Sequence, residues 1–195
     1  MQVVISRFNE NIDWSSVFVN KIVYNKGIDI KGKQEVIKLP NVGREGHTFA
    51  YHIINNYDNL EEYTCFLQGN PFDHFPNVID YIKNFKYNTP FVFLSNNILP
   101  CEINGINSHG PLYTCYKELF GTENTNSFIF GAGAQMILSR DTIKQYPKSV
   151  YEKILNMLNH DTHPEEGFAM ERIWGLMFSP SNNHCKSVIT KSMNS

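Results

Sequence analysis

The strand-like run Cys65-Phe66-Leu67 ends in Gln68-Gly69-Asn70-Pro71-Phe72-Asp73-His74, so a carboxylate and an imidazole stand side by side just past a strand end. Carboxylate oxygen and neutral imidazole nitrogen suit a divalent cation or a phosphate partner, and open α/β sheets collect ligands outside the carboxyl ends of their strands. The simpler reading of the same residues is a turn at Asn70-Pro71, with Asp73 capping a helix that begins near Pro76.

Two further polar clusters bear on that choice. Ser6-Arg7-Phe8-Asn9-Glu10 follows the first apolar run. Arg7 is suited to bidentate contact with a phosphate, and Asn9 or Glu10 to a base or a sugar hydroxyl. Asn41-Val42-Gly43-Arg44-Glu45 precedes the first long helix, whose N-terminus itself favours an anion near Arg44. Three such clusters at element ends are harder to dismiss than one. His184, in the polar tail, is available to complete a site with Asp73 or His74.

A candidate general base comes from the last helix, Pro164 to Phe178. Met170, Ile173, Trp174, Met177 and Phe178 fall at i, i+3, i+4, i+7 and i+8 and form a core stripe. At 100° per residue, Glu166 lies within about 50° of that stripe's centre and Glu165 points away. Both acids also suit a helix start, where the dipole favours negative charge. In a cleft, Glu166 would take a proton from an attacking hydroxyl.

Gly131-Ala132-Gly133-Ala134-Gln135 contains G-x-G without the third glycine of a dinucleotide fingerprint, because Met136-Ile137-Leu138 follows as a strand. Small residues there admit a ligand, another backbone or a bulge.

The elements that must position these residues alternate between strand and helix patterns, the mark of an α/β fold with a mostly parallel central sheet flanked by helices. Strands are expected at 2–6, 21–24, 63–67, 90–94 and 127–130, the last paired with 136–138 across the small residues. Helices are expected at 47–57, 77–85, 111–119, 148–158 and 164–178. Residues 13–18 have room for a short helix, and residues 28–45 and 95–110 read as irregular. The chain reads as a single domain, 1–195, with a loose polar tail from about 180.

At 195 residues with 42% hydrophobic composition, one core burying roughly 70% of the unfolded surface is expected. Seventeen basic and 19 acidic residues without long runs give a net charge of −2, which lacks the basic footprint of a nucleic-acid binder. No apolar run approaches the ~20 residues of a membrane span, and no leader pattern precedes Val3, so a cytoplasmic protein with no membrane insertion is expected. Cys65, Cys101, Cys115 and Cys185 are widely spaced and read as reduced thiols.

The segments Ser6 to Glu10, Asn41 to Thr48, Phe66 to His74, Phe130 to Gln135 and Glu171-Arg172-Ile173-Trp174 together resemble a family known mainly from fungal and viral genomes, consistent with a viral origin. That family looks like a compact relative of GT-A glycosyltransferases. The resemblance implies a GT-A-like fold, a nucleotide-sugar donor, a glycan or other hydroxyl acceptor, and a divalent metal, Mn²⁺ or Mg²⁺, on the diphosphate. It further implies donor contacts at Arg7, Asn9, Glu10, Arg44, Gln68, Gly131, Gly133 and Gln135. Asp73, His74 and His184 would be the metal ligands, with Asp73 and Glu166 the catalytic carboxylates. The D-x-D motif of GT-A enzymes is absent, since Pro71-Phe72-Asp73 supplies one acid. Arg7 and Arg44 are therefore the alternative neutralising groups. The competing functions are a non-catalytic nucleotide-sugar or carbohydrate-binding module of the same fold and a metal-dependent hydrolase.

Overall fold

The computed structural model describes residues 1–30, 36–121 and 127–179. The tail expected from about 180, with His184 and Cys185, lies outside the described residues. The first half runs β1 (Gln2–Arg7), a 3-10 turn (Asp13–Val17), β2 (Lys21–Asn25), β3 (Val36–Lys38), α1 (Arg44–Asn56), β4 (Tyr63–Gln68) and α2 (Val78–Lys83). The second half runs β5 (Phe91–Phe93), β6 (Ile98–Cys101), α3 (Leu112–Phe120), β7 (Phe128–Gly131), β8 (Met136–Ser139), α4 (Arg140–Ile143), α5 (Lys148–Leu158) and α6 (Glu166–Phe178).

Six strands form one sheet in the order β3-β2-β1-β4-β8-β5. β1 pairs in parallel with both β2 and β4, and β2 with β3. β8 runs antiparallel to its neighbours β4 and β5, so the sheet is mostly parallel, as expected. The chain winds outward from β1 to β3, then returns through α1 to place β4 on the other side of β1. That reversal makes the β1/β4 junction a topological switch point, where the loops leaving two adjacent parallel strands diverge and open a crevice.

Strand period 2 divides the core. Val4, Phe66, Met136 and Leu138 face the layer of α1, α3, α5 and α6, where Phe49, Ile53, Ile154, Ile173 and Trp174 are buried. Val3, Ile5, Cys65, Leu67 and Ile137 face the other side with Ile12, Phe18, Val78 and Ile82. Strands buried on both faces read as continuous apolar runs, which is why β1 and β4 are legible in the sequence.

Four expectations need correction. β7 and β8 do not pair with each other: β7 pairs with β6, inside the stretch expected to be irregular, and β8 joins the main sheet. β3 likewise forms within the 28–45 stretch, as a three-residue edge strand beside β2. α2 begins at Val78 with Asn77 as its N-cap and no side-chain capping bond, and Asp73 instead accepts from Asn70 Nδ2 at 2.9 Å. α6 begins at Glu166, with Glu165 rather than Pro164 leading it.

α6 is pressed hard onto β7. A Cβ on Gly175 would lie 2.4 Å from the Ile129 carbonyl oxygen and 2.8 Å from Phe130 Cα, both backbone atoms that do not yield.

α1 buries two histidines. His52 Nδ1 meets Tyr24 Oη at 2.9 Å, while Nε2 of His52 and Nδ1 of His47 have no partner among the described residues. Burial holds both imidazoles down to about 4, helped for His47 by the positive charge of Lys26. The folded state therefore keeps both neutral, while the unfolded chain takes up protons near pH 6.5. Stability present above pH 6.5 should fall as pH drops toward 4, by about 1.4 kcal/mol per pH unit for each histidine. Urea midpoints across pH 4–8 should show this slope, and His52→Gln should remove about half of it.

Candidate functional site

The carboxyl ends of β1, β2 and β4 open into a cleft of about 460 Å³. Its strand-end walls come from Ser6 and Arg7 at the end of β1, Phe8 just after it, Lys26 after β2 and Gln68 at the end of β4. The other side is built from Asn41, Arg44 and Glu45 at the start of α1 and from Thr162 and His163 just before α6. Two clusters expected to carry chemistry, Arg7 with Glu10 and Arg44 with its neighbours, thus face one cavity, and Gln68 joins them.

Each cluster is held by backbone carbonyls. Arg7 Nε donates to Glu10 O at 2.9 Å, and Nη1 donates to Asn25 Oδ1 at 2.6 Å and to the carbonyls of Phe8 and Ile28 at 3.0 Å. Nη2 has no partner among the described residues. Glu10 Oε2 accepts from Phe8 N at 2.7 Å, and its carboxylate lies where a Cβ on Gly69 would sit. Asn9 pins the loop after β2 by accepting from Ile28 N at 2.9 Å.

Gly43 and Arg44 both adopt left-handed φ, +62° and +50°. This region is unfavourable for a side chain as bulky as arginine and is held here by surrounding contacts. Gly43 N donates to Asp161 O at 2.8 Å, Thr162 Oγ1 donates to Asn41 O at 3.0 Å, and Lys26 Nζ donates to Val42 O at 2.6 Å and to Arg44 O. The Arg44 guanidinium lies 4.5 Å over the Phe168 ring and 3.9 Å from Glu45 Oε2. Burial pushes the Glu45 carboxyl up, opposed by the Arg44 charge. Burial likewise pulls the Lys26 ammonium down to about 8, opposed by Glu45. Cations, carboxylates and a histidine thus line one cavity, with Phe8 47% exposed as an aromatic face at its edge.

The remaining expected residues serve the walls or lie elsewhere. Gln135 is fully buried and its amide is consumed: Oε1 accepts from Gln68 N at 3.1 Å, and Nε2 donates to Pro71 O at 3.1 Å and Leu94 O at 3.4 Å. Gly133, at φ +92°, takes the His74 ring where a Cβ would lie and donates its N–H to Glu171 Oε1 at 2.6 Å, while its carbonyl accepts from Gln68 Nε2. Gly131 lies against Phe93. Glu166 is not among the cleft-lining residues. Its side chain is 29% exposed, with Oε2 3.6 Å from His160 Nε2, and its charge adds to the burial that pushes the Cys115 thiol up to about 12.

Of the implied metal ligands, Asp73 and His74 lie among the described residues and His184 outside them. Asp73 is exposed and bound to Asn70, the His74 ring is packed on Gly133, and no three His, Cys, Asp or Glu side chains among the described residues converge.

Lys26, Thr162 and His163 are cleft residues outside the polar clusters read from the sequence, and Glu45 closes the Asn41-to-Glu45 cluster without a role of its own there. Lys26 reads as part of the Asn25-Lys26-Gly27 turn, and only the parallel pairing of β1 with β2 brings it beside Arg7. His163 is one residue before Pro164 and had no signal of its own.

Because Gln135 joins β4, the turn after it and the segment after β5, Gln135→Leu should strip the side-chain partner from Gln68 N and Leu94 O, while Pro71 O keeps its bond from Phe75 N. A loss of at least about 2 kcal/mol in urea unfolding is expected, with Gln135→Glu less severe.

A family model described as "Protein of unknown function (DUF3431)" matches residues 101–191. That span covers α3, β7, β8 and α4 to α6, with Thr162 and His163, but none of the strand-end residues after β1, β2 and β4. No curated protein matches the chain, and no solved structure does.

Proposed function

We propose that this chain is a GT-A-type glycosyltransferase that binds a nucleotide-sugar in the β1/β4 cleft and transfers its sugar to a hydroxyl acceptor, a glycan being the expected class. The observation that carries the reading is the position of the cleft: it lies at the switch point of a mostly parallel sheet, where α/β folds take nucleotides, and Arg7, Lys26 and Arg44 line it. A diphosphate needs such cations, sugar hydroxyls need acceptors such as Glu10 and Glu45, and a base can stack on Phe8.

In the reaction, the acceptor oxygen bonds to the anomeric carbon, the bond from that carbon to the diphosphate oxygen breaks, and the diphosphate leaves as an anion. Arg7 and Arg44 stabilise the charge that develops on it. The acceptor proton goes to a carboxylate on the side away from the diphosphate. Glu45 is beside Arg44 in sequence and close enough to Lys26 to feel its charge, which sets it among the cations that meet the diphosphate. Glu166 stands at the start of α6, next to Gly167, against which the Arg44 side chain packs, and is the better base.

The second reading, a binding module without catalysis, is favoured by Glu166 lying outside the cleft lining. Titration calorimetry with a panel of nucleoside diphosphates, in EDTA and in Mn²⁺, should detect binding of at least one. Absence of binding under every condition would sink the transferase reading. Glu166→Gln should lower sugar transfer or donor hydrolysis on the order of 10²-fold while leaving nucleotide affinity unchanged. Turnover unaffected by Glu166→Gln removes Glu166 as base, and binding without any turnover favours the module.

A further inference from the structure

We infer that Lys26 is an anion-recognition residue of the cleft, bracing the Val42–Arg44 turn through two backbone carbonyls and giving its remaining N–H to a phosphoryl oxygen of the ligand. This rests on the reading of the cleft as a nucleotide-diphosphate site.

An ammonium has three donors and no acceptor. Two are taken by Val42 O and Arg44 O, and the third has no partner among the described residues. Lys26 is 8% exposed yet lines the cleft. No carboxylate forms an ion pair with it among the described residues, although Glu45 is near enough to be felt. A buried cation bonded only to neutral carbonyls is under-compensated, and an anionic ligand supplies the missing charge. The charged and titratable groups facing this corner are Arg44, Glu45 and His47 from α1, Arg7 from β1, Glu10 from the loop after it and His163 from the segment before α6. Glu171 of α6 acts on it through Glu45.

Lys26 also does structural service, since the carbonyls it holds belong to the turn that keeps Arg44 at positive φ. A residue that only braced the turn would be replaceable by arginine with no change in how binding responds to pH. A residue that meets the anion ties binding to its own protonation: affinity falls as pH rises past about 8, where the free ammonium loses its proton.

The test is calorimetric titration of the full chain with inorganic pyrophosphate at pH 7, 8 and 9, in EDTA and in Mg²⁺, on the parent protein, Lys26→Arg and Lys26→Met. Lys26→Met should weaken binding 10- to 100-fold at pH 7, the range of one charge-assisted hydrogen bond. The parent should lose up to about tenfold more affinity than Lys26→Arg between pH 8 and 9, which removes pyrophosphate's own titration from the comparison. Parent-like binding by a folded Lys26→Met, or identical pH responses of the parent and Lys26→Arg, overturns the assignment of Lys26 alone. If Lys26→Met does not fold, the parent and Lys26→Arg comparison decides. No pyrophosphate binding by the parent at any pH, with or without Mg²⁺, overturns the nucleotide-diphosphate reading and this inference together.

Discussion

The parallel pairing of β1 with β2 on one side and β4 on the other is the constraint on which the rest of the structure depends. Val4 and Ile5 are wholly buried between two helical layers, so β1 cannot shift register by one residue without exchanging its two core faces. Once that register is set, Arg7, Lys26 and Gln68 must emerge at the same edge of the sheet. Side chains as far apart in sequence as Arg7 and Gln68 meet there because three strands end together, not because any one motif specifies them.

The loops at that edge solve a polar problem that regular structure leaves behind. Carbonyls freed at strand ends and at the left-handed turn before α1 would otherwise lack donors, and in this fold arginine, lysine and glutamine side chains supply them. Arg7, Lys26 and Gln135 each reach two or more backbone carbonyls. The same chemistry that closes the fold thus concentrates positive charge around a cavity. Arg7 and Lys26 keep donors without partners among the described residues, while Gln135 has none left over for a ligand.

Much of this was legible in the sequence because the local signals agreed with the global fold. The apolar runs of β1 and β4, the 3.6-residue stripe of α6 and the polar clusters after Ser6 and around Arg44 point to the elements and residues observed. What was not legible depends on pairing between distant segments. β6 is mostly exposed and carries Pro100, so it lacks the buried pattern of a strand and forms because β7 lies beside it. β7 and β8 look like two arms of one hairpin, yet the positive φ of Gly133 and Ala134 turns the chain from one sheet to the other. Asp73 reads as a ligand or a cap from its position after a strand, and its exposed contact with Asn70 follows from a turn geometry that spacing does not encode.

The contact of Gly175 with the Ile129 and Phe130 backbone bears on how the cavity can respond to an occupant. A helix whose axis is fixed by main-chain contact has no side chain to repack, so α6 can neither slide nor roll toward a ligand. Accommodation is left to the short segments 8–11, after β1, and 41–44, before α1, which hydrogen bonds tie to their neighbours. No residue of α6 itself lines the cleft, so the fixed helix reaches an occupant only through Thr162 and His163, the short lead-in that Gly43 and Asn41 tie to the turn before α1.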